Sequence, residues 1–366
     1  MTGESEIDAT SVFLPIPVTR RLGTVATTDF LRCYRCLFHS ALFGLLCSGY
    51  GHVNWAGIGR GFAYHVVLAT HKILILPPLP DNLPVSASPL FALPDHAVVA
   101  LDGPDATAFA QAQFANDVAA LSPGHWQWNA WLTPKGRVIA VFALLKLAED
   151  RILLLVPDTD AGELAAQLQR FVFRRKLKIA AADGLQVSGA FRKPDSAESA
   201  RIGVVGETIE LDYGSDQQPR TLRLSPTVAP ILEPTLPGRW FAQDLRAGLP
   251  RLPAAQREQW TPQQLSLERL HAFSVKKGCY PGQEIVARTH FLGKAKRGLA
   301  LFETDATPAT GDTVGDGSKP LGQIVSVLLA SPTLALAVLP LERESGPLSV
   351  NGATLREVAL LDGLAR

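Results

Sequence analysis

The sequence predicts an α+β fold in which a mixed α/β body is followed by a small antiparallel β-barrel. In the body, short apolar runs alternate with segments of helical periodicity. After Gly298 the chain becomes a series of short strand-like runs separated by Gly, Pro, Asp and Asn turns, which is typical of a small barrel. A hydrophobic content of 47% is ample for packed cores, and 366 residues suggest two or three domains.

The clearest elements lie in the first half of the body. Strands are predicted at residues 98–101, 126–132, 138–147 and 152–156. Pro104 suits the first position of a helix, and this helix is predicted to end near Asn116. The turn at 133–136 joins two of the strands as a hairpin. The body therefore begins as a strand, a helix and a hairpin.

A second helix is predicted after Asp160, which together with Glu163 resembles an acidic version of a capping box. Apolar residues then repeat at helical spacing as far as Val172, which gives one buried stripe. The basic run at 174–178 is predicted to end this helix, because cations are favourable near a helix C-terminus. A solvated helix end is the simplest interpretation of that run.

The remaining body is less regular. Residues 185–240 alternate short apolar runs with Gly and Pro, which favours a second α/β unit beginning near residue 185. Residues 256–271 are predicted to be helical around three leucines. Strands of the barrel are predicted at 299–302, 322–328, 333–338 and 353–358. The domain prediction is thus a body at 86–297 and a barrel at 298–366.

The first 85 residues differ from the rest, since they hold three of the four cysteines and show no clean helix or strand period. We expect residues 1–85 to be a poorly ordered or spurious extension. Their apolar stretch at 37–46 is too short to span a bilayer. Cys33 and Cys36 form a C-x-x-C pair, but no second pair accompanies them, which disfavours a metal site.

Charge and cysteine usage exclude several classes of function. A net charge of +1 gives no strong electrostatic case for nucleic acid, so neither direct binding of nucleic acid nor a membrane partner is expected. Cys279 is the only cysteine after residue 85, which argues against a disulfide framework. A reducing compartment is therefore expected: the cytoplasm, or an organelle matrix in a eukaryote.

The segment 276–284, Lys-Lys-Gly-Cys-Tyr-Pro-Gly-Gln-Glu, holds the most informative chemistry. A short helix is predicted from Gln283 to Phe291, with Glu284 in its first turn. Cys279 would lie just ahead of the positive end of this helix, with Lys277 nearby. Both effects favour thiolate, so a lowered pKa of Cys279 is expected. A buried, inert cysteine on a turn is the alternative from local chemistry alone.

Residues 277–284 resemble the signature of the YgfZ family of folate-binding proteins, relatives of the glycine-cleavage T-protein, which is an aminomethyltransferase. Residues 240–250, ending Ala-Gly-Leu-Pro, and the Thr-Pro-Gln at 261–263 are similar to further elements of that superfamily. Upstream, residues 113–118 and the Lys-Gly-Arg at 135–137 follow in the same order. The resemblance covers roughly residues 86–366. It implies ferredoxin-like α/β units of the T-protein folate-binding type, followed by a C-terminal antiparallel β-barrel.

The resemblance also implies roles for particular side chains. Trp240 and the position of His96 would form walls for the flat pterin of tetrahydrofolate, Asp117 would lie near the reactive folate nitrogens, and Arg246 would hold the glutamate carboxylate. The basic run at 174–178 could alternatively contact the acidic tail of a polyglutamylated folate. Within the signature, the reactive pair is Cys279 with Lys277, and the residues assigned to cofactor binding are Gly278, Gln283 and Glu284. His271 and His290 are candidate proton partners.

Three functions follow from these residues. The family implies a tetrahydrofolate-binding protein that assists assembly, repair or maintenance of iron–sulfur clusters, with client enzymes or assembly proteins as partners. Because a stable cluster needs about four thiolate ligands and only Cys279 is available in the body, no self-held cluster is expected. The enzyme alternative is a folate-dependent one-carbon transferase that uses Asp117 and does without Cys279. The third possibility is an interaction scaffold that binds no folate.

Overall fold

The computed structural model describes residues 65–69, 72–76, 88–227, 229, 235–293 and 295–366. The chain divides into two units, residues 1–82 and 83–366. In the first unit, strands β1 (His65–Ala69) and β2 (Lys72–Leu76) pair as an antiparallel hairpin. The rest of the predicted extension, with its C-x-x-C pair, lies outside the described residues.

The first sheet of the second unit has five antiparallel strands in the order β5-β6-β7-β4-β8. Its strands are β4 (His96–Asp102), β5 (His125–Leu132), β6 (Val138–Ala148), β7 (Arg151–Pro157) and β8 (Lys178–Ala181). Helix α1 (Ala106–Gln113) follows β4, and helix α2 (Ala161–Gln169) follows β7. The four strands β6-β7-β4-β8 and the two helices form a ferredoxin-like unit, which β5 extends by one strand.

Both faces of this sheet are buried, as strand β7 illustrates. Because side chains alternate between the two faces of a strand, Ile152 and Leu154 point to one core and Leu153 and Leu155 to the other. The first core lies beneath α1 and α2, and the second faces α3 (Thr235–Arg246). The two-faced burial explains the continuous apolar runs that predicted these strands.

Helix α2 has the predicted start but a different end. The Asp160 carboxylate accepts a hydrogen bond from the Glu163 backbone N–H at 2.7 Å, which confirms the predicted cap. The helix ends at Gln169, so the prediction that the basic run at 174–178 forms its last turn is wrong. Phe173 has a left-handed φ of +49°, and the chain has left the helical path before the first residue of that run.

The second sheet has the order β10-β11-β12-β9-β3. Its strands are β3 (Phe91–Ala92), β9 (Gln186–Ala190), β10 (Gly203–Val205), β11 (Thr208–Asp212) and β12 (Thr221–Ser225). Helix α3 packs closely on this sheet, because a Cβ added to Gly189 would lie only 2.7 Å from the Trp240 ring. The predicted second α/β unit is therefore a sheet with one helix against it.

The predicted helix at 256–271 is wrong. Two short 3-10 turns, Ala254–Gln256 and Leu267–Leu270, are found there instead. Ser266 and His271 bracket the second turn with left-handed φ angles of +49° and +55°, which a continuous α-helix excludes. The leucines that suggested a helix are buried. The apolar pattern therefore predicted the burial of these residues correctly but their secondary structure incorrectly.

The C-terminal region is a closed antiparallel barrel with the strand order β13-β16-β15-β14-β17-β18, which confirms the predicted barrel. Its strands are β13 (Arg297–Thr304), β14 (Thr313–Gly315), β15 (Pro320–Leu328), β16 (Thr333–Pro340), β17 (Leu348–Val350) and β18 (Ala353–Val358). Closure pairs β13 with β18 and so leaves that edge of the sheet covered. Within the described residues, no helix combines the length and apolar character needed to cross a membrane.

Candidate functional site

Cys279 lies on a loop, residues 274–282, that leads into helix α4 (Gln283–Phe291); we call it the thiol loop. Helix α4 has the predicted bounds, and Cys279 precedes it as expected. The thiol of Cys279 is free and exposed, so the alternative of a buried cysteine is wrong. Gly278 is also exposed, and a Cβ added to it would meet no atom within 4 Å. The solvent side of the thiol is therefore open.

Lys277 fixes the thiol loop to the end of helix α1. Its side chain is buried, and Nζ donates hydrogen bonds to the carbonyl oxygens of Gln111 at 2.6 Å, Phe114 at 2.5 Å and Asn116 at 3.0 Å. Burial lowers the pKa of Lys277 to about 8, with the charge of Asp117 acting in the opposite direction. The amine is thus still charged at neutral pH, and its three protons all have carbonyl acceptors. The observed contacts of Lys277 hold the loop in place, and its predicted reactive role stays a prediction.

Two glycines let the thiol loop lie directly against the hairpin turn between β5 and β6. Gly282 has a φ of +81°, and a Cβ on it would lie 2.6 Å from the Cα of Gly136 and 2.7 Å from the carbonyl oxygen of Thr133. Gly136 has a φ of +70°, and a Cβ there would lie 2.8 Å from the Cβ of Ile285. This reciprocal contact explains why the Lys-Gly-Arg turn and the cysteine signature both need glycine.

Further hydrogen bonds set the shape of the loop. The Ser274 hydroxyl oxygen accepts from the backbone N–H groups of Lys276 and Lys277, each at 3.2 Å. The Tyr280 hydroxyl donates to the Ser274 carbonyl at 3.2 Å, and burial raises the pKa of Tyr280 to about 12. The Gln283 amide donates to the Lys277 carbonyl at 3.3 Å. Cys279 is therefore a solvent-facing group on a loop that the side chains of Ser274, Lys277 and Tyr280 hold in shape.

Asp117 lies beside this loop in a turn after α1. Its carboxylate accepts hydrogen bonds from the Gln111 amide at 3.1 Å and from the Ala120 backbone N–H at 3.2 Å. These are the contacts of a turn-forming aspartate. The two candidate proton partners are both exposed: His271 ends a 3-10 turn, and His290 packs its ring 4.9 Å from that of Phe291 in α4.

Trp240 and His96 belong to a second group, which is aromatic and buried. Trp240 has no exposed surface; Tyr213 stacks on it at 5.6 Å between centroids, and the His96 ring meets it edge-on at 6.5 Å. The Arg220 guanidinium lies 4.7 Å above the indole. In the described part of the chain, four buried polar atoms of this group have no hydrogen-bond partner: Trp240 Nε1, His96 Nε2, Tyr213 Oη and Arg220 Nε.

Sequence reasoning missed the buried ion network next to this group. Arg251 is 2% exposed and binds Asp158 at 2.6 Å, Asp95 at 2.5 Å and Asp244 at 3.2 Å. Arg220 shares Asp244, with a distance of 2.6 Å. The signal available in the sequence was the charge of Arg251 directly after an apolar Gly-Leu-Pro turn.

Two predicted binding residues have ordinary surroundings. Arg246 ends helix α3 and forms an ion pair of 3.3 Å with Glu303 on barrel strand β13. About a third of the Arg246 side chain (35%) remains exposed, so part of it is accessible to a ligand even in this ion pair. Glu284 is exposed in the first turn of α4. Their predicted roles in ligand binding stay predictions.

Apart from Arg246, which links α3 to β13, the predicted site residues fall into two places. Lys277 and Cys279 lie on the thiol loop with Gly278, Gln283, Glu284 and the neighbouring Asp117; His96 and Trp240 lie in the aromatic group. A chain of contacts connects them. The Asn116 amide donates to the Trp128 carbonyl at 2.9 Å, and the Trp128 ring is 5.2 Å from Tyr213, which stacks on Trp240. Asn116 also donates to the His271 carbonyl at 2.6 Å.

The fold places the chain in the structural class of the glycine-cleavage T-proteins. The glycine cleavage system aminomethyltransferase T of Bartonella henselae superposes with a TM-score of 0.57, over 74% of this chain and 85% of that protein. Sequence identity to it is 15%, so this likeness establishes the fold.

The chain belongs to the YgfZ family, which confirms the resemblance seen in its sequence. It is 30% identical over 241 residues to the tRNA-modifying protein YgfZ of Colwellia psychrerythraea, covering 60% of this chain and 73% of the relative. It is 29% identical over 280 residues to the tRNA-modifying protein YgfZ of Sodalis glossinidius, covering 68% of this chain and 84% of the relative. No family model matches the chain.

Proposed function

We propose that this chain binds tetrahydrofolate and assists the assembly, repair or maintenance of iron–sulfur clusters in client enzymes, with Cys279 as its reactive group. The observation that carries the proposal is the thiol loop. It holds an exposed sulfur on a backbone that Lys277 and Gly282 anchor from two sides. A thiol needed only for packing would be buried, as free cysteines usually are.

Folate binding is supported by the T-protein fold and by the chemistry of the aromatic group. A pterin is flat and has hydrogen-bond donors and acceptors at its edge, so it suits aromatic walls with a few fixed polar groups. Trp240 and Tyr213 supply the rings, and the unpartnered atoms of His96 and Arg220 supply polar partners. These residues fit the vitamin chemically. Because Trp240 is fully buried, a ligand meets it only when the neighbouring rings move apart.

The cluster is cargo in this proposal and not a resident group. Cys279 is the only cysteine after residue 85, whereas a stable cluster needs about four thiolate ligands. Within the described residues, no three His, Cys, Asp or Glu side chains converge as a metal site. An exposed single thiol suits transient contact with the iron of a client, because the other ligands remain with that client.

The relatives named tRNA-modifying protein YgfZ suggest one class of client. We propose that tRNA modification in the cell depends on this chain through a client enzyme that modifies tRNA with the help of a cluster. This accounts for the name of the relatives without assigning a modifying activity to the chain itself.

The test is complementation of a strain that lacks this protein, using the full chain. Cys279→Ala and Cys279→Ser should leave cluster-dependent enzyme activity and tRNA nucleoside modification as low as in the deletion strain, while enzymes without clusters are unaffected. Cys47→Ser is the matched control, because it removes a thiol from the segment that precedes the body. Full activity of the Cys279 variants would overturn the proposed role of the thiol.

Folate binding needs a separate measurement, because it does not depend on Cys279. Titration calorimetry with tetrahydrofolate should show binding to the wild type and to Cys279→Ala alike. Loss of binding is expected for Trp240→Leu, provided circular dichroism shows that the variant folds. A wild-type chain that binds no tetrahydrofolate would favour the interaction scaffold.

A one-carbon transferase is the second candidate, favoured by the aminomethyltransferase fold. Tetrahydrofolate would supply the nitrogens that carry the one-carbon unit, and Asp117 would orient them. Asp117→Asn would then abolish turnover of a methylamine donor, while Cys279→Ala would leave turnover unchanged. Loss of cluster-dependent activity in Cys279→Ala, in the complementation test, supports instead the role in cluster maintenance.

A further inference from the structure

A surface outside the thiol loop and the aromatic group has an unusual concentration of charge. Residues 170–178, Arg-Phe-Val-Phe-Arg-Arg-Lys-Leu-Lys, contain five cations and form the connection between α2 and β8; we call this the basic loop. The cations at positions 170, 174, 176 and 178 are exposed, and Arg175 is half-buried.

The cations of the basic loop are not neutralised by the fold. In the part of the chain that the structure describes, none of the five forms an ion pair with a carboxylate. Two acids lie at its base, and neither forms an ion pair with the five cations. Asp102 lies 3.7 Å from Arg151, and the Asp105 carboxylate accepts from the Lys176 backbone N–H at 2.6 Å. Since α2 ends at Gln169, its dipole does not account for the cations at 174–178.

An aromatic ring stands in the middle of these cations. Phe173 is 87% exposed and has a left-handed φ of +49°, which is rare for a bulky residue and costs on the order of 1 kcal/mol. Before it, Val172 is buried and the Phe171 ring packs edge-on against Trp131 at 6.1 Å; after it, the Lys176 backbone N–H donates to the Asp105 carboxylate. The loop is therefore held on both sides of Phe173. The fold therefore presents Phe173 to solvent with no packing gain that explains it.

We propose that the basic loop binds RNA, with its cations on backbone phosphates and the Phe173 ring stacked on an unpaired base. Cations supply the sequence-independent part of nucleic-acid affinity, and exposed aromatic rings stack on the bases of single-stranded segments. Cations outnumber the one well-exposed ring, which favours RNA over a lipid surface, because membrane binding requires a broad apolar face. This surface is distinct from the thiol loop and from the aromatic group.

The proposal is tested by fluorescence anisotropy with a labelled stem–loop RNA and the full chain. Arg170→Gln/Arg174→Gln/Lys176→Gln should weaken binding by roughly tenfold or more and reduce the slope of log K against log salt by about 2. Lys193→Gln/Arg201→Gln/Lys319→Gln removes the same charge elsewhere and should leave the affinity within about twofold. Equal losses in the two triple variants would mean that the effect is one of net charge alone, which overturns the assignment to the loop.

A second variant separates RNA from the other acidic partners. Phe173→Leu keeps an apolar side chain but removes base stacking, so RNA binding should fall by roughly fivefold or more. Vesicles containing phosphatidylserine and a polyglutamate peptide are the competing probes. Two results, each obtained without RNA binding, would overturn the proposal. The first is binding to vesicles that persists in Phe173→Leu, and the second is binding to polyglutamate that depends on the basic loop. The Cys279→Ala chain should bind RNA normally, so this test and that of the proposed function fail independently.

Discussion

At the scale of single residues, the neighbouring lysines of the thiol loop show how position decides chemistry. Lys276 is exposed, whereas Lys277 is buried and surrounded by three carbonyl oxygens at the end of α1. The sequence treats the two lysines alike, as cations close to Cys279. Only the fold shows that one of them is a structural anchor, because the acceptors belong to residues more than 160 positions earlier in the chain.

Lys277→Met should lower the free energy of unfolding by about 2 kcal/mol, since buried carbonyl groups lose their donor. Lys276→Met is the control and should change it by less than about 0.5 kcal/mol. Denaturant unfolding at neutral pH measures both. Equal effects of the two substitutions would contradict the anchoring role.

The same pair of variants gives a pH signature. Burial lowers the pKa of folded Lys277 to about 8, whereas the unfolded lysine titrates near 10.4, so the unfolded chain binds more protons between these values. The wild type should therefore gain stability relative to Lys277→Met as pH rises from about 8 to about 10. A constant difference across that window would show that the lysine does not titrate there.

At the scale of elements, the contact between the β5–β6 turn and the start of α4 positions the thiol loop. Gly136 and Gly282 meet backbone to backbone, with left-handed φ angles at both. The sequence marks each glycine as part of a separate motif. Their reciprocal contact, across nearly 150 residues of chain, arises only when the hairpin and the helix pack together.

Gly282→Ala should destabilise the protein by roughly 1–3 kcal/mol, because its Cβ would overlap backbone atoms of the hairpin turn and its φ disfavours a side chain. Gly278→Ala is the matched control on the same loop, since a Cβ there enters open space. Thermal unfolding checks stability, and the rate of Cys279 modification by a disulfide reagent checks the loop. The rate should change in Gly282→Ala and stay near that of the wild type in Gly278→Ala.

At the scale of the whole molecule, one arginine links elements of three parts of the fold. Arg251 binds Asp95 and Asp158 of the body and Asp244 of α3, and its backbone N–H donates to the Ser326 hydroxyl on barrel strand β15 at 3.1 Å. A buried network of this kind is costly to break, because the remaining charges lose their partners. It therefore makes stability depend on the carboxylates staying ionised.

Asp95 carries the clearest acid dependence. Burial by itself raises the pKa of Asp95, but the hydrogen bond from His96 and the charge of Arg251 outweigh it and hold the pKa well below its usual range. A depressed pKa gives stability that is complete above about pH 4, the unfolded value, and is lost as pH falls below it.

Asp95→Asn should lower the free energy of unfolding by about 2 kcal/mol at neutral pH and flatten its decline below about pH 4. Asp102→Asn is the control, because that carboxylate is half-exposed and 3.7 Å from Arg151. Urea unfolding at neutral pH and near pH 3 measures both effects. An unchanged acid slope in Asp95→Asn would assign the acid sensitivity to other carboxylates.

The sequence by itself determined the order of elements from β4 to α2, the barrel, helix α4 and the family, because these depend on local periodicity, turn residues and contiguous motifs. The helix predicted at 256–271 was wrong, because residues with left-handed φ angles interrupt the segment. The spacing of its apolar residues reflects burial and not a helix. The sequence also showed the basic run at 174–178 but not its exposure, and the net charge of +1 gives no information about where charges lie on the surface.

Only the tertiary structure decided which residues meet. In the tertiary structure, the thiol loop and the buried group around Trp240 are two separate groups, connected by contacts through Asn116 and Trp128. The tertiary structure also brings the carboxylates together around Arg251. These contacts join residues far apart in the chain, and no local preference encodes them. They form because the packed sheets, helix α3 and the barrel bring those side chains within hydrogen-bonding distance, where burial makes each partner necessary.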